Sequence, residues 1–416
     1  MYSQVKACRI CSNTNLVPIL DLGVQALTGV FPKTLDDSVT KGPLRLVKCM
    51  GDEVCGLVQL EHSYDLGEMY GNNYGYRSGL NKSMVDHLHN KVKRLNQFVK
   101  LGAGDLVIDI GSNDGTTLGA YAIDGLKRVG IDPTGSKFSR YYPAGVALIP
   151  DFFSARLVEE KYPNQKAKVV TSFSMFYDLE NPVQFMKEVH QVLADDGVWV
   201  FEQSYMPAML KTNSFDTVCH EHLEFYTLKQ IAWMAKQVGF DIIDVEFNDV
   251  NGGSFSITVA KSKGQPKVTT QVQQILDEEV AMGLDTLVPF EAFAKRTQEA
   301  KDALVDFVQK AKEQGKTIVG LGASTKGNVL LQYCNFTPTN LPAIGEVNVE
   351  KYGAYTPGTH IPIIDEEAVM AMNPDYILVL PWHFRDFFLK SKKLANYSLL
   401  FPLPHLEVVP PRANAA

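Results

Sequence analysis

Between residues 106 and 202 short apolar runs alternate with stretches of helical periodicity, and this alternation restricts the fold more than any other feature of the chain. LVIDIG at 106–111, RVGID at 128–132, KVVTSF at 168–173 and GVWVFE at 197–202 read as strands. Helical stretches such as ENPVQFMKEVHQVLA lie between them. Strands and helices in alternation imply a parallel sheet with right-handed crossovers, an α/β fold. FDIIDVEFN and SFSITVAK read as the terminal strands of the same unit. Upstream, Val85, Leu88, Val92, Leu95 and Val99 recur at helical steps. Downstream, residues 266–313 are strongly helical, and TIVGLGA at 317–323 opens a second α/β series that continues through AIGEVNV and YILVLPW. The expected organisation is a small, mostly β module over 1–70, an α/β domain over 71–265, a helical connector over 266–313 and a second α/β domain over 314–416.

The module at the N-terminus is too small to hold a thick core and needs a staple. Four of the six cysteines supply one: Cys8, Cys11, Cys49 and Cys55 all fall within it. Cys8 and Cys11 form a CxxC turn, which points two sulfurs at one metal, and four thiolates complete a closed tetrahedral zinc site. Cys49 and Cys55 are more widely spaced, so MGDEV between them must form a larger loop. A redox CxxC is disfavoured because no strand–helix context surrounds it. With 47 acidic and 40 basic residues the net charge is −7, which argues against a nucleic-acid partner bound by a broad basic face. No apolar run is long enough to span a membrane, and MYSQVKACRI lacks a signal-peptide core, so the expected location is the cytoplasm. Nothing in the sequence decides the oligomeric state.

The strand at 106–111 runs into a helix through Gly111-Ser112-Asn113-Asp114-Gly115. This is GxxxG, not the dinucleotide GxGxxG. Asp132 closes the second strand, where a carboxylate takes both hydroxyls of an adenosine ribose. DIGSNDG followed by GID resembles the class I methyltransferase fold that binds S-adenosylmethionine. The loop has no lysine for a phosphate, which suits a sulfonium cofactor. Asp151 follows the third candidate strand and is a candidate for the adenine side. Glu202 ends its strand at the edge where open α/β sheets bind ligands, as a substrate contact or as a plain surface acid.

Two further segments carry chemistry. Cys219-His220-Glu221-His222 is the densest titratable run, and in an extended loop the two histidines would point the same way. Histidine suits a general base at neutral pH, although a second metal site or structural hydrogen bonding remains open. Gly320-Leu-Gly322-Ala-Ser324-Thr-Lys326-Gly327 follows a buried strand, so it is a candidate diphosphate cradle or a packed strand–helix turn. Tyr355, Gly358 and His360 of YTPGTHIP border it in this reading.

CRIC, CGLVQL, YGYRS, DIGSNDG, HEHLEFY, NGGSF, GLGASTKG and YTPGTHIPI together resemble the S-adenosylmethionine-dependent sugar C-methyltransferases of deoxysugar biosynthesis. The resemblance covers nearly the whole chain. It implies a zinc-binding module, a class I methyltransferase Rossmann-like domain and a second Rossmann-like domain. It implies S-adenosylmethionine, held by Tyr76, Ser78, Asp109, Gly111, Ser112, Asn113, Gly115, Asp132 and Asp151, and structural Zn2+ on the four cysteines. It makes His222 the base and Glu221 its partner. Cys219 and His220 stand where the family has tyrosine and aspartate, and Tyr76 or His220 would hold the developing oxyanion. SMFYDL places Phe176 or Tyr177 where the family has another active-site histidine. The implied substrate is a nucleoside-diphosphate-linked 4-keto-6-deoxysugar methylated at C-3, contacted by Glu202, Gly322, Ser324, Lys326, Tyr355 and His360. An O- or N-methyltransferase, or a non-catalytic nucleotide-sugar binder, are the competing readings.

Overall fold

The structure, a computed structural model, describes residues 2–69, 76–263 and 269–412. Seven strands form the central sheet. Their order is Phe240–Asn248, Ser254–Lys261, Leu193–Ser204, Ala167–Phe173, Leu106–Ile110, Lys127–Ile131 and Val146–Ile149. The last five are parallel, and Ser254–Lys261 runs antiparallel to both of its neighbours. Chain order reverses on either side of Leu106–Ile110, so the loop after that strand lies at the switch point where such sheets bind ligands. A second, six-stranded sheet centres on Ile318–Leu321 and Tyr376–Val379 and is parallel except for its edge strand Glu407–Val409. Both strands lack polar alternation because helices cover each face. The connector forms the helices Thr270–Ala281 and Val288–Glu313.

The N-terminal module is less independent than its sequence suggests. Its sheet holds Leu16–Ala26, Lys41–Cys49 and Val58–Leu60, and its fourth strand is Glu224–Phe225, contributed from far along the chain. Leu60 N also donates to Leu223 O at 2.8 Å. One continuous core joins Leu44, Leu46 and Leu60 of this sheet with Phe215 and Leu223, Phe290 and Phe293 of the long connector helix, and Val329 and Leu331 of the C-terminal domain. The module thus borrows apolar surface from three other segments, in addition to any metal staple.

Glu202 corrects an expectation. It ends its strand as anticipated, but its carboxylate is already spent. His87 Nε2 lies 2.6 Å away, Lys91 Nζ 2.9 Å and Asn248 Nδ2 2.8 Å. Burial alone would push this carboxyl up, but His87 and Lys91 hold it below its ordinary value. Glu202 therefore pins the helix Lys82–Leu95 to the sheet and is not placed to contact substrate. Glu202→Ala leaves Lys91, 5% exposed, with only Glu246 for company. Loss of about 1–3 kcal/mol of unfolding free energy is expected in denaturant titration, since Lys91 keeps one of its two carboxylates and His87 loses its partner; an unchanged midpoint would contradict this account.

Candidate functional site

The four cysteines of the module converge. Their sulfurs all lie within 4.8 Å of one another, with Cys8–Cys55 at 3.4 Å, Cys11–Cys55 at 3.5 Å and Cys11–Cys49 at 3.6 Å. A tetrahedron of thiolates around zinc has S–S edges of roughly 3.8 Å, from a Zn–S bond of about 2.3 Å, so the set fits the metal. Gly51 and Glu53 take positive φ in the wide loop between Cys49 and Cys55, which turns the second pair back toward the first. Thiol neighbours Cys55 and Cys8, with Asn13 Nδ2 at 3.2 Å, hold Cys49 down as a thiolate. Among the described residues no fifth donor joins the cluster, and four protein thiolates make a closed, structural site.

The cofactor loop sits at the switch point. Gly111, Asn113 and Gly115 all have positive φ, which curls the backbone around a point above the strand ends. Asn113 anchors a second segment: its Oδ1 accepts from Ser78 N at 2.9 Å and its Nδ2 donates to Tyr76 O at 3.1 Å. Asp114 Oδ2 accepts from Gly79 N at 2.9 Å. Tyr76 and Ser78 of YGYRS are thereby laid against the loop; residues 74 and 75 of that motif lie outside the described residues. Ser112 Oγ meets Tyr142 OH at 2.7 Å, a neighbour that no sequence motif signalled. Asp132 accepts from Asn113 N at 2.8 Å and from Thr134. Asp109 lies beneath the loop rather than on its surface. It is 2% exposed and accepts from Thr171 Oγ1 at 2.5 Å, and burial pushes its carboxyl up to about 7. Its role is to support the loop from below, not to touch the cofactor. Asp151 is exposed, accepting only from its neighbour Phe152 N. Carboxylates in and under the loop, with no lysine, suit the cationic S-adenosylmethionine.

The histidine segment is a turn, not an extended run. His222 N donates to Cys219 O at 3.2 Å, and the turn sends the three titratable side chains in different directions. His220 faces the zinc module, edge-on to Tyr64 at 4.6 Å, fully buried and pushed down to about 4 by burial. It is therefore removed from the catalytic set. Glu221 faces the module's Thr28, whose Oγ1 lies 3.3 Å from Oε2. A methyl group at Gly29 would lie 2.2 Å from Glu221 Oε1, so any side chain there would displace the carboxylate. Glu221 thus does not orient His222. Thr217 does, its carbonyl oxygen lying 2.8 Å from His222 Nδ1. A carbonyl only accepts, so Nδ1 carries the proton and Nε2 keeps its lone pair. The ring lies tilted against Tyr177, centroids 4.2 Å apart, and not against Phe176, which is buried among Phe185, Trp199 and Phe201. Met175 covers Gly111, so residues 175–177 span from the cofactor loop to His222. Burial and the nearby charge of Lys326 push His222 down to about 3. Cys219 is buried and its thiol is pushed well up by that burial, unsuited to nucleophilic attack.

The C-terminal domain closes the other side. Ser324 caps the helix Thr325–Tyr333, its Oγ accepting from Gly327 N at 3.0 Å, and Gly322 turns at φ 83 beneath Pro381. Lys351 reaches this loop from a distant segment, donating to Ala323 O at 2.7 Å. Lys326 reaches across to the first domain instead, donating to Asn251 O at 2.6 Å. Trp382 Nε1 donates to Asp216 Oδ2 at 2.7 Å, one residue before the carbonyl that orients His222. Asp216 was not singled out by any motif. Tyr355 N donates to Pro32 O at 2.9 Å and His360 is exposed at φ 55, so YTPGTHIP packs on the module more than on the cleft.

The class I strand order with a glycine-turned loop at its switch point is the fold of class I methyltransferases. Comparison with known proteins agrees. Residues 8–70 match the family described as "Putative zinc binding domain", residues 84–245 match "Methyltransferase domain", and residues 249–404 match "C-methyltransferase C-terminal domain". The chain is 29% identical over 411 residues to the C-methyltransferase NovU of Streptomyces niveus, covering 97% of each. Among solved structures, a putative methyltransferase from Bacillus halodurans aligns at 14% identity over 42% of this chain and 100% of its own, with a TM-score of 0.33. A Haloferax volcanii complex of the Trm112 methyltransferase activator and a putative methyltransferase aligns at 14% over 44% and 94%, with a TM-score of 0.36. The chain is an S-adenosylmethionine-dependent C-methyltransferase built from these three parts. No described helix is long and apolar enough to cross a membrane.

Two outcomes test this geometry. Metal analysis of the purified protein should return one zinc per chain, and Cys49→Ser should lose it together with thermal stability; full stability without metal would contradict a structural role. Nitrogen-15 shifts of His222 should report the neutral Nδ1–H form from about pH 5 to pH 8, because a group lowered to about 3 is unprotonated throughout that window. A midpoint near the ordinary histidine value would refute the assigned burial and tautomer.

Proposed function

We propose that the protein methylates the carbon beside the ketone of a nucleoside-diphosphate-linked 4-keto-6-deoxysugar, at C-3. The observation that carries this reading is the bond from His222 Nδ1 to Thr217 O, which leaves Nε2 as a free base. A C-methyltransferase must first make its carbon nucleophilic, and the proton beside a ketone is acidic enough for a histidine to remove. Bound S-adenosylmethionine supplies an electrophilic methyl group. Tyr76, Ser78, Ser112, Asn113 and Asp132 are the residues we assign to hold it, and residues 322–324 with Lys351 those for the diphosphate. The likeness to NovU along the full chain supports the class of reaction.

Incubation with S-adenosylmethionine and a panel of TDP-, GDP- and CDP-linked 4-keto-6-deoxysugars should give one product heavier by a methylene unit. His222→Asn should lower turnover by about 10²–10⁴-fold while leaving cofactor binding unchanged. Retention of most activity would remove His222 from the mechanism. In deuterium oxide without cofactor, the wild-type enzyme should exchange the proton beside the ketone; methylation of an oxygen or nitrogen needs no such exchange.

A further inference from the structure

Lys326 occupies a position that a diphosphate contact does not explain. It is the second residue of the helix Thr325–Tyr333, yet its side chain leaves that helix start and crosses to the methyltransferase domain. Asn251 O, in the turn between Phe240–Asn248 and Ser254–Lys261, is the only acceptor found for it among the described residues. One of its three N–H groups is used there, so two remain for a ligand.

The surroundings are equally specific. The helix bearing Lys326 packs on the turn Phe215–Thr217. That turn supplies both the carbonyl that orients His222 and the Asp216 carboxylate bonded to Trp382. His383, beside Trp382, has a buried Nδ1 with no hydrogen-bond partner. Burial first and the charge of Lys326 second disfavour protonation of His222 and of His383; burial also lowers Lys326, and Asp216 opposes that by favouring its charged form. A cation placed beside the base is unfavourable for the resting enzyme once that base is protonated. It becomes favourable when negative charge develops between the two.

We propose that Lys326 is a catalytic residue that holds the ketone oxygen of the substrate and stabilises the enolate His222 generates. This rests on the reading of the reaction given above. His222 Nε2 takes the proton from carbon, the C–H electron pair becomes the carbon–carbon double bond, and the carbonyl π pair moves onto oxygen. The oxygen's negative charge then faces the Lys326 ammonium, with the proton on His222. Of the two oxyanion donors expected from sequence, His220 is turned into the zinc module, and Tyr76 is tied to the cofactor loop through its backbone carbonyl. Lys351 remains beside residues 322–324 for the phosphates, so Lys326 is not needed there.

Lys326→Met separates the possibilities. Exchange of the proton beside the ketone and methyl transfer should fall together by about 10²–10³-fold, as for loss of one oxyanion donor. Binding of TDP alone, followed by calorimetry, should be unchanged. Lys326→Arg, which keeps the charge, should recover part of the exchange, whereas Lys326→Gln should not; this series guards against a merely misfolded Met variant. Wild-type exchange that persists in Lys326→Met overturns the proposal, and if TDP binding is lost at the same time Lys326 is a diphosphate contact. Absence of exchange in the wild type, with every ketosugar of the panel, overturns both this proposal and the function on which it rests.

Discussion

The backbone pairing of Glu224–Phe225 with Val58–Leu60 is the interaction on which the site depends. Glu224 sits opposite Gln59 and Phe225 opposite Val58. The turn carrying Glu221 and His222 immediately precedes this short strand, so a sheet in another module sets its position. The zinc cluster lies just upstream of the same pairing. Arg9, inside the CxxC turn, donates from its backbone to Gln59 Oε1 and from Nη1 to Leu60 O. Gln230 Nε2, past the paired strand, donates to Cys55 O at 2.8 Å. A run of direct bonds thus connects four thiolates to the segment that holds the base. A metal-free enzyme would lose the position of that segment along with the module, because the module's own core is confined to a cluster around Leu27, Val30, Tyr64 and Met69.

The two sides of the cleft divide the electrostatic work. The methyltransferase side offers the Asp132 carboxylate at the loop's edge to a positively charged cofactor, with Asp109 supporting the loop from below. The opposite side presents Lys326 and Lys351 from the C-terminal domain. His222 lies between them and is kept neutral by burial first and by Lys326 second. Neutrality is what a base needs before it acts, and the fixed Thr217 contact decides which nitrogen is free. Among the described residues no carboxylate stands behind His222: the Thr217 carbonyl orients the ring and raises its proton affinity, but less than burial lowers it.

Much of the fold was legible from residues alone. Continuous apolar runs around LVIDIG and TIVGLGA mark strands covered on both faces, and four crowded cysteines mark the metal site. The cofactor loop was legible because its glycines and Asp132 obey a spacing rule. The turn at 219–222 was not. Side-chain alternation assumes extended backbone, and the 3.2 Å bond from His222 N to Cys219 O breaks that assumption. Glu224–Phe225 is too short to show any periodicity. Glu202 read as a ligand contact because strand position was visible and its partners were not: His87 and Lys91 sit more than a hundred residues earlier. Asp216 and Trp382, 166 positions apart, belong to different domains, and no local pattern joins them.

These long-range contacts explain why the base is assembled from several segments. A histidine on a loop of the methyltransferase domain alone would be exposed, titrating near its ordinary value and free to rotate. Covering it requires surface from elsewhere, and each neighbour adds a distinct property. Tyr177, from the loop after Ala167–Phe173, packs tilted against the ring and links it to the cofactor side through Met175. The zinc module draws Glu221 and His220 away, leaving His222 alone toward the cleft. The C-terminal domain brings a cation close enough to keep the ring neutral. Removing any of these would leave a histidine still present in sequence but different in protonation or direction, so the chemistry belongs to the interface rather than to the motif.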